Sequence, residues 1–247
     1  MTGNLLRSLA AGRLPERVRT AASDEAVAPD HLAQLLLAGE AVIPSGNTGR
    51  AVKPTAIGRG LRTKVNANIG ASTEFCSEEA EIEKLAAAVD AGADAVMDLS
   101  SGGDVTALRR LLLSRCAIPF GTVPIYEAIR EKDGDIVALG RDDLLAVVQR
   151  HDDEGVDFMT IHAGLTRSAL DELTRQGRLM DVVSRGGAFM IAWMLEHDRE
   201  NPFYEDFDAL LEILARRDIT ISLGDGLRRG CVADGTDRAQ ISELVTL

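Results

Sequence analysis

The chain has 247 residues, with 27 Lys and Arg against 39 Asp and Glu, a net charge of −12, 45% hydrophobic and 27% charged residues. This is the composition of an ordinary globular protein and excludes a disordered one. The acidic balance argues against nucleic acid or anionic membrane as a partner, yet leaves room for a local basic pocket that takes one small anion.

In chain order, residues 1–62 read as a separate helical and turn-rich N-terminal segment. Two helical stretches, roughly Asn4–Ala22 and Asp30–Leu37, precede a run broken by Pro44, Gly46, Asn47, Gly49 and Pro54. Asp30 stands where an N-cap would start the second helix, and Gly39 where a C-terminal glycine would stop it. No secretion signal and no run near ~18 apolar residues is visible, so a cytoplasmic location is expected. Three cysteines, Cys76, Cys116 and Cys231, odd in number and far apart, suit a reducing compartment better than a disulfide framework. With no C-x-x-C spacing, the chain offers no local iron–sulfur or structural zinc site.

From Arg62 onward a unit recurs in which a short apolar run is followed by Gly and polar residues and then by an amphipathic helical stretch. The predicted strands are TKVNANIG, ADAVMDLS, IPFGTVP, DFMTIHAG, MDVVSRGG and ITISLGDG. Continuous apolar strands alternating with helices of ten or more residues imply an α/β protein with parallel pairing. In a doubly wound sheet only the strands at one switch point need polar ends, whereas in a (β/α)8 barrel every strand end faces one mouth. All six runs finish in polar or glycine-rich text: Asn66 and Asn68, Asp98 and Ser100, Tyr126, His162, Ser184 and Arg185, Asp225 and Arg228. The expectation is an incomplete TIM-type barrel of about six βα units over residues 63–247. The two strands short of eight would leave unpaired edges. The chain is then expected to be part of a longer protein, or to be closed by a partner or a second copy.

Several residues at these ends suit a ligand. His162 in TIHAG follows an apolar strand and precedes Gly164, which permits close backbone approach. Ser184-Arg185-Gly186-Gly187 opens a helix, the arrangement that aims backbone N–H groups and a fixed positive charge at an anion, although Ser184 can equally serve as a plain N-cap. Asp225-Gly226-Leu227-Arg228 adds a carboxylate and a guanidinium within one turn. Together they suggest a phosphorylated, hydroxyl-bearing ligand. Met97 alone reads as core, Asp98 and Asp157 as strand-end caps, Glu78 and Glu79 as the first turn of a helix, and His31, His151 and His197 as solvated groups on polar helix faces.

Read together, KVNANIG, ADAVMDLSSGGD, GTVPIY, GVDFMTIHAG, VSRGGAF and SLGDGLRRG resemble the phosphomethylpyrimidine synthase family from about residue 30 to residue 247. The resemblance implies a radical S-adenosylmethionine lyase of thiamine biosynthesis on a (β/α)8 barrel. Such an enzyme rearranges 5-aminoimidazole ribonucleotide into hydroxymethylpyrimidine phosphate with release of formate and carbon monoxide. It also implies substrate contacts at Asn68, Met97, Tyr126, His162, Ser184, Arg185, Gly186, Asp225, Gly226, Leu227 and Arg228, and so reverses the core reading of Met97. The family uses a 4Fe-4S cluster, S-adenosylmethionine and zinc. Its cluster cysteines and metal-binding histidines have no counterpart in this chain, whose three cysteines do not reproduce the spacing. No catalytic residue is assigned. Two other readings remain: a relative that makes hydroxybenzimidazole for cobamides from the same ribonucleotide, and a non-catalytic ribonucleotide-binding fragment.

Overall fold

The computed structural model describes residues 4–44 and 49–247; Gly46 and Asn47 of the turn-rich run lie outside the described residues. The chain forms two compact units. The first holds residues up to Thr122 with Arg150–Met159 and Leu214–Thr220, and the second holds Val123–Gln149, Thr160–Ile213 and Ile221–Leu247.

The N-terminal part of the first unit contains α1 (Leu5–Ala10), α2 (Glu16–Asp24), α3 (Pro29–Leu37) and a two-residue antiparallel pair, β1 (Ala41–Val42) with β2 (Ile57–Gly58). Apolar residues at helical spacing, Leu5 and Leu9, Val18, Ala21 and Ala22, Leu32, Leu35 and Leu36, converge into one buried cluster with Ala41, Ile43 and Ala56. The helix expected to start at Asp30 has Pro29 at its first position and Ala28 as N-cap, so Asp30 contributes its charge from the first turn instead. Gly39, at φ +72°, ends it as expected. Asp218, itself at φ +61°, gathers the segment by accepting from Asn4 Nδ2 (3.1 Å), the Leu5 amide (3.0 Å) and Arg17 Nη2 (2.8 Å).

The parallel sheet is built from β3 (Asn66–Ile69), β4 (Ala95–Asp98), β5 (Phe120–Thr122), β6 (Phe158–Ile161) and β7 (Thr220–Leu223), hydrogen-bonded in that order. The connecting helices are α4 (Glu78–Asp90), α5 (Val105–Arg115), α6 (Pro124–Arg130), α7 (Arg141–Glu154), α8 (Arg167–Gln176), α9 (Arg185–His197), α10 (Pro202–Glu205) and α11 (Phe207–Ala215), with α12 (Arg238–Thr246) after β7. Side-chain oxygens of Ser77, Asp104, Thr166, Ser184 and Asp237 cap α4, α5, α8, α9 and α12 by accepting an amide three residues on. Glu78 and Glu79 lie in the first turn of α4, as expected. Among the described residues no helix is long and apolar enough to cross a membrane.

Five strands, not six, enter this sheet, because MDVVSRGG forms none. Asp234 takes the amides of Leu179 (2.8 Å) and Met180 (2.9 Å), Asp181 turns into the left-handed region at φ +52°, and Ser184 is committed to capping α9. The ladder beside β6 goes to β7 instead, with the Thr220 amide on Asp157 O (3.2 Å) and the Gly224 amide on Ile161 O (2.8 Å). Among the described residues the architecture is mixed α/β with a five-stranded parallel sheet, and a full eight-stranded barrel is not shown.

Several buried polar groups in the first unit are paired across it. Asp157 is no mere cap, because its Oδ2 accepts from the Phe120 amide (2.9 Å) and from Arg50 Nη1 (2.8 Å), while Arg50 also reaches the carbonyls of Leu113, Cys116 and Gly155. His151, expected in solvent, is buried at 2% exposure with Nδ1 2.8 Å from Thr122 Oγ1. His31 is exposed, and His197 is half-buried and stacked on Trp193 at 4.3 Å.

Gly121 is paired in register with Phe158, and a Cβ at Gly121 would overlap the Phe158 ring. Gly121→Ala is therefore expected to destabilise the protein by about 1–3 kcal/mol through overpacking. Urea unfolding followed by circular dichroism checks this, and an unchanged midpoint contradicts the packing described.

Candidate ligand-binding site

Two of the expected site residues lie in the first unit. Asn68 and Met97 are register partners on β3 and β4, with Asn68 exposed and Met97 half-buried. Behind them the strand ends are laced together. The Ala71 amide donates to Ser100 Oγ (3.0 Å), which in turn donates to Asp98 Oδ1 (2.5 Å), while the Gly70 amide donates to Glu81 Oε2 (2.9 Å). Burial is the main influence on the Asp98 carboxyl and raises its pKa, against the opposing hydrogen bonds from Ser100.

The other nine belong to the second unit. His162 follows β6 and is 4% exposed. Its imidazole is sandwiched between glycines, since a Cβ at Gly186 would overlap the ring atoms and one at Gly224 would press on Cδ2 and Nε2. Nε2 lies 3.5 Å from Ser184 Oγ, and Nδ1 has no hydrogen-bond partner among the described residues. Burial holds the ring neutral by lowering its pKa to about 4, with the Asp225 charge opposing and Arg228 assisting. A neutral ring offers one donor and one acceptor, and the Nδ1 position is not used by any described residue.

Around this ring stand three further features. Ser184 caps the thirteen-residue α9 through the Gly187 amide (3.2 Å), and Arg185 begins the helix with its side chain exposed. The plain capping role and the anion-facing position therefore coexist in one turn. The Arg185 guanidinium lies 5.0 Å over the Tyr126 ring, which meets Phe189 edge-on at 6.4 Å. Tyr126 sits in the first turn of α6 rather than on a strand, and burial chiefly raises the pKa of its hydroxyl, with Arg185, Arg228 and the Gly186 backbone lowering it. In the 225–228 turn, Asp225 and Arg228 are exposed and 3.7 Å apart, while Gly226 and Leu227 are buried. A Cβ at Gly187 would overlap the Gly226 backbone, so the two turns touch main chain to main chain.

Residue-by-residue reading of the sequence missed two supports of this site. Asn201, fully buried, donates from Nδ2 to the carbonyls of His162 (2.7 Å) and Leu165 (2.8 Å) while its Oδ1 accepts the Phe203 amide. Its Asn-Pro spacing marks an N-cap but not this second duty. Glu243 accepts the amides of Gly226 and Leu227, both at 2.7 Å. No local signal separates it from any other helical glutamate.

The three thiols do not fit an iron–sulfur cluster. Cys116 is buried with its S–H on the Ile118 carbonyl (3.2 Å), Cys231 lies against Asp234 (3.3 Å), and Cys76 is exposed beside Gly102. Among the described residues no group of three or more His, Cys, Asp or Glu side chains is placed to hold a metal ion.

The chain is thus a parallel α/β protein in which a helix-opening Ser-Arg-Gly turn, a buried imidazole and an Asp/Arg turn lie in one unit. Within that class the chain belongs to the radical SAM ThiC family, whose model matches residues 5–247. It is 49% identical over 240 residues to the phosphomethylpyrimidine synthase of Desulforamulus reducens, covering 96% of this chain and 56% of that protein. The protein of the same name from Desulforudis audaxviator is 52% identical over 239 residues, covering 96% and 55%. That from Methanopyrus kandleri is 48% identical over 236 residues, covering 94% and 55%. The chain thus spans little more than half the length of these relatives.

The depressed His162 pKa has a definite sign. Between the ordinary value of 6.5 and about 4, the unfolded chain binds a proton that the folded one refuses, so stability is full above pH 6.5 and falls as pH drops through that window. The loss attributable to this residue approaches about 3 kcal/mol at pH 4, at 1.36 kcal/mol per pH unit. Urea unfolding at pH 7 and pH 5 should show a smaller difference for His162→Gln than for the wild type; equal differences would remove the buried neutral imidazole from the account.

Proposed function

We propose that the second unit captures the phosphate and ribose of 5-aminoimidazole ribonucleotide, and that the chain contributes substrate recognition to a phosphomethylpyrimidine synthase of thiamine biosynthesis. The observation that carries this reading is the buried His162 ring, neutral and with Nδ1 unpartnered, packed against the very turn whose Arg185 and helix N-terminus suit an anion. Arg185 supplies a charge-assisted fork for phosphate oxygens. Asp225 accepts from ribose hydroxyls or the amine, Arg228 adds a second positive charge, and His162 gives a hydrogen bond to the heterocycle, beside which Tyr126 offers an aromatic face. For Asn68 and Met97, in the first unit, a substrate contact rests on family resemblance alone.

Membership of the family implies S-adenosylmethionine and an iron–sulfur cluster, which supply the radical when bound. Radical initiation is assigned to no described residue of this chain, because its thiols do not fit the cluster. What its own residues perform is capture, orientation and the holding of a neutral imidazole against the ligand.

The test is calorimetric titration of the wild type, Arg185→Ala and Asp225→Ala with 5-aminoimidazole ribonucleotide. Loss of a charge-assisted hydrogen bond is expected to weaken affinity about tenfold or more in each variant, with unchanged circular dichroism because both side chains are exposed. No binding by the wild type, or wild-type affinity in both variants, overturns the reading.

A further inference from the structure

The turn proposed to recognise the ribonucleotide shows only its two ends to solvent. Asp225 and Arg228 are exposed, and the peptide between them is buried. Its orientation fixes where both charged side chains point, and two other residues grip it. On its donor side, the Glu243 carboxylate from α12 accepts the Gly226 amide on Oε1 and the Leu227 amide on Oε2, each at 2.7 Å, at 2% exposure. On its acceptor side, Arg178 Nη2 donates to the Leu227 carbonyl at 2.7 Å. Arg178 is in turn fixed by a two-point pair to Asp237, Nε to Oδ2 at 2.5 Å and Nη2 to Oδ1 at 2.8 Å, with both side chains almost fully buried.

We propose that Glu243 and Arg178 are positioning residues, a clamp that fixes the Gly226–Leu227 backbone and thereby aims Asp225 and Arg228 at the ligand. Two observations separate this from ordinary packing. A buried carboxylate spent wholly on two backbone amides is costly to desolvate, and burial raises the Glu243 pKa despite both hydrogen bonds. An apolar residue filling the same volume would serve a core at less expense. Moreover, Gly226 is hemmed in by the Leu165 side chain, Glu243 Oε1 and the Gly187 backbone, so the clamp also sets the contact between this turn and the one that opens α9. Supporting shells of this kind govern how precisely the contacting residues are held.

The inference rests on the proposed ribonucleotide site, and the experiment separates the two. Glu243→Gln keeps shape but turns one acceptor into a donor facing a backbone N–H; Arg178→Lys keeps the charge but loses the fork. Amide exchange by NMR on the full chain should show lost protection at Gly226 and Leu227 in Glu243→Gln. Affinity for 5-aminoimidazole ribonucleotide should fall about tenfold or more in both variants, a change of about 1.4 kcal/mol, at a temperature where circular dichroism shows each folded. Wild-type affinity in a folded variant overturns the clamp, as does unchanged exchange at the two amides. If Glu243→Gln does not fold, Arg178→Lys decides by affinity alone. If the wild type binds no ribonucleotide, the substrate assignment falls, and the exchange result still decides the clamp.

Discussion

In the second unit, main chain touches main chain with no side chain between. Gly187 meets Gly226, and Gly186 and Gly224 both come close against the His162 ring. Everything else about the site follows from that constraint. Only residues without Cβ allow the α9 opening turn, the end of β7 and the imidazole after β6 to share so small a space. Burial in this space is also what holds the imidazole neutral, and its Nδ1 has no hydrogen-bond partner among the described residues. An alanine at Gly186 would displace the ring before altering any charge.

Charge and burial are divided in a consistent way around this point. The groups suited to an anion, Arg185 and Arg228, are exposed at turn ends, where a ligand can reach them and where burial costs them nothing. The groups that hold those turns, Asn201, Ser184, Glu243 and Arg178, are buried or nearly so and each bonds to backbone, Arg178 through a guanidinium that also pairs with Asp237. In the first unit a similar division appears at the ends of β3 and β4, where Ser100, Asp98 and Glu81 are buried and bonded while Asn68 is exposed.

The α/β class, the parallel pairing and most helix starts were legible in the sequence, because strands buried on both faces and Ser, Thr or Asp at the N-caps leave local signals. MDVVSRGG fits the recurring pattern of a short apolar run followed by Gly and polar residues and then a helix, and so reads as a strand. What ties down its start is non-local: an aspartate more than fifty residues downstream takes the Leu179 and Met180 amides. His151 was misplaced for a related reason, since its partner Thr122 lies 29 residues away on β5. The positions of His162, Ser184, Arg185, Asp225 and Arg228 were readable because glycines flank them and mark close approach. Glu243 and Asn201 were not, since nothing in a helical glutamate or a capping asparagine reveals which distant backbone it will hold.

The carboxylate that closes the 225–228 turn arrives sixteen residues after Leu227. The final geometry of that turn therefore depends on α12 being in place: a chain cut before Glu243 would lose both acceptors for the Gly226 and Leu227 amides at once, which ties the order of a surface turn to the last helix of the described chain.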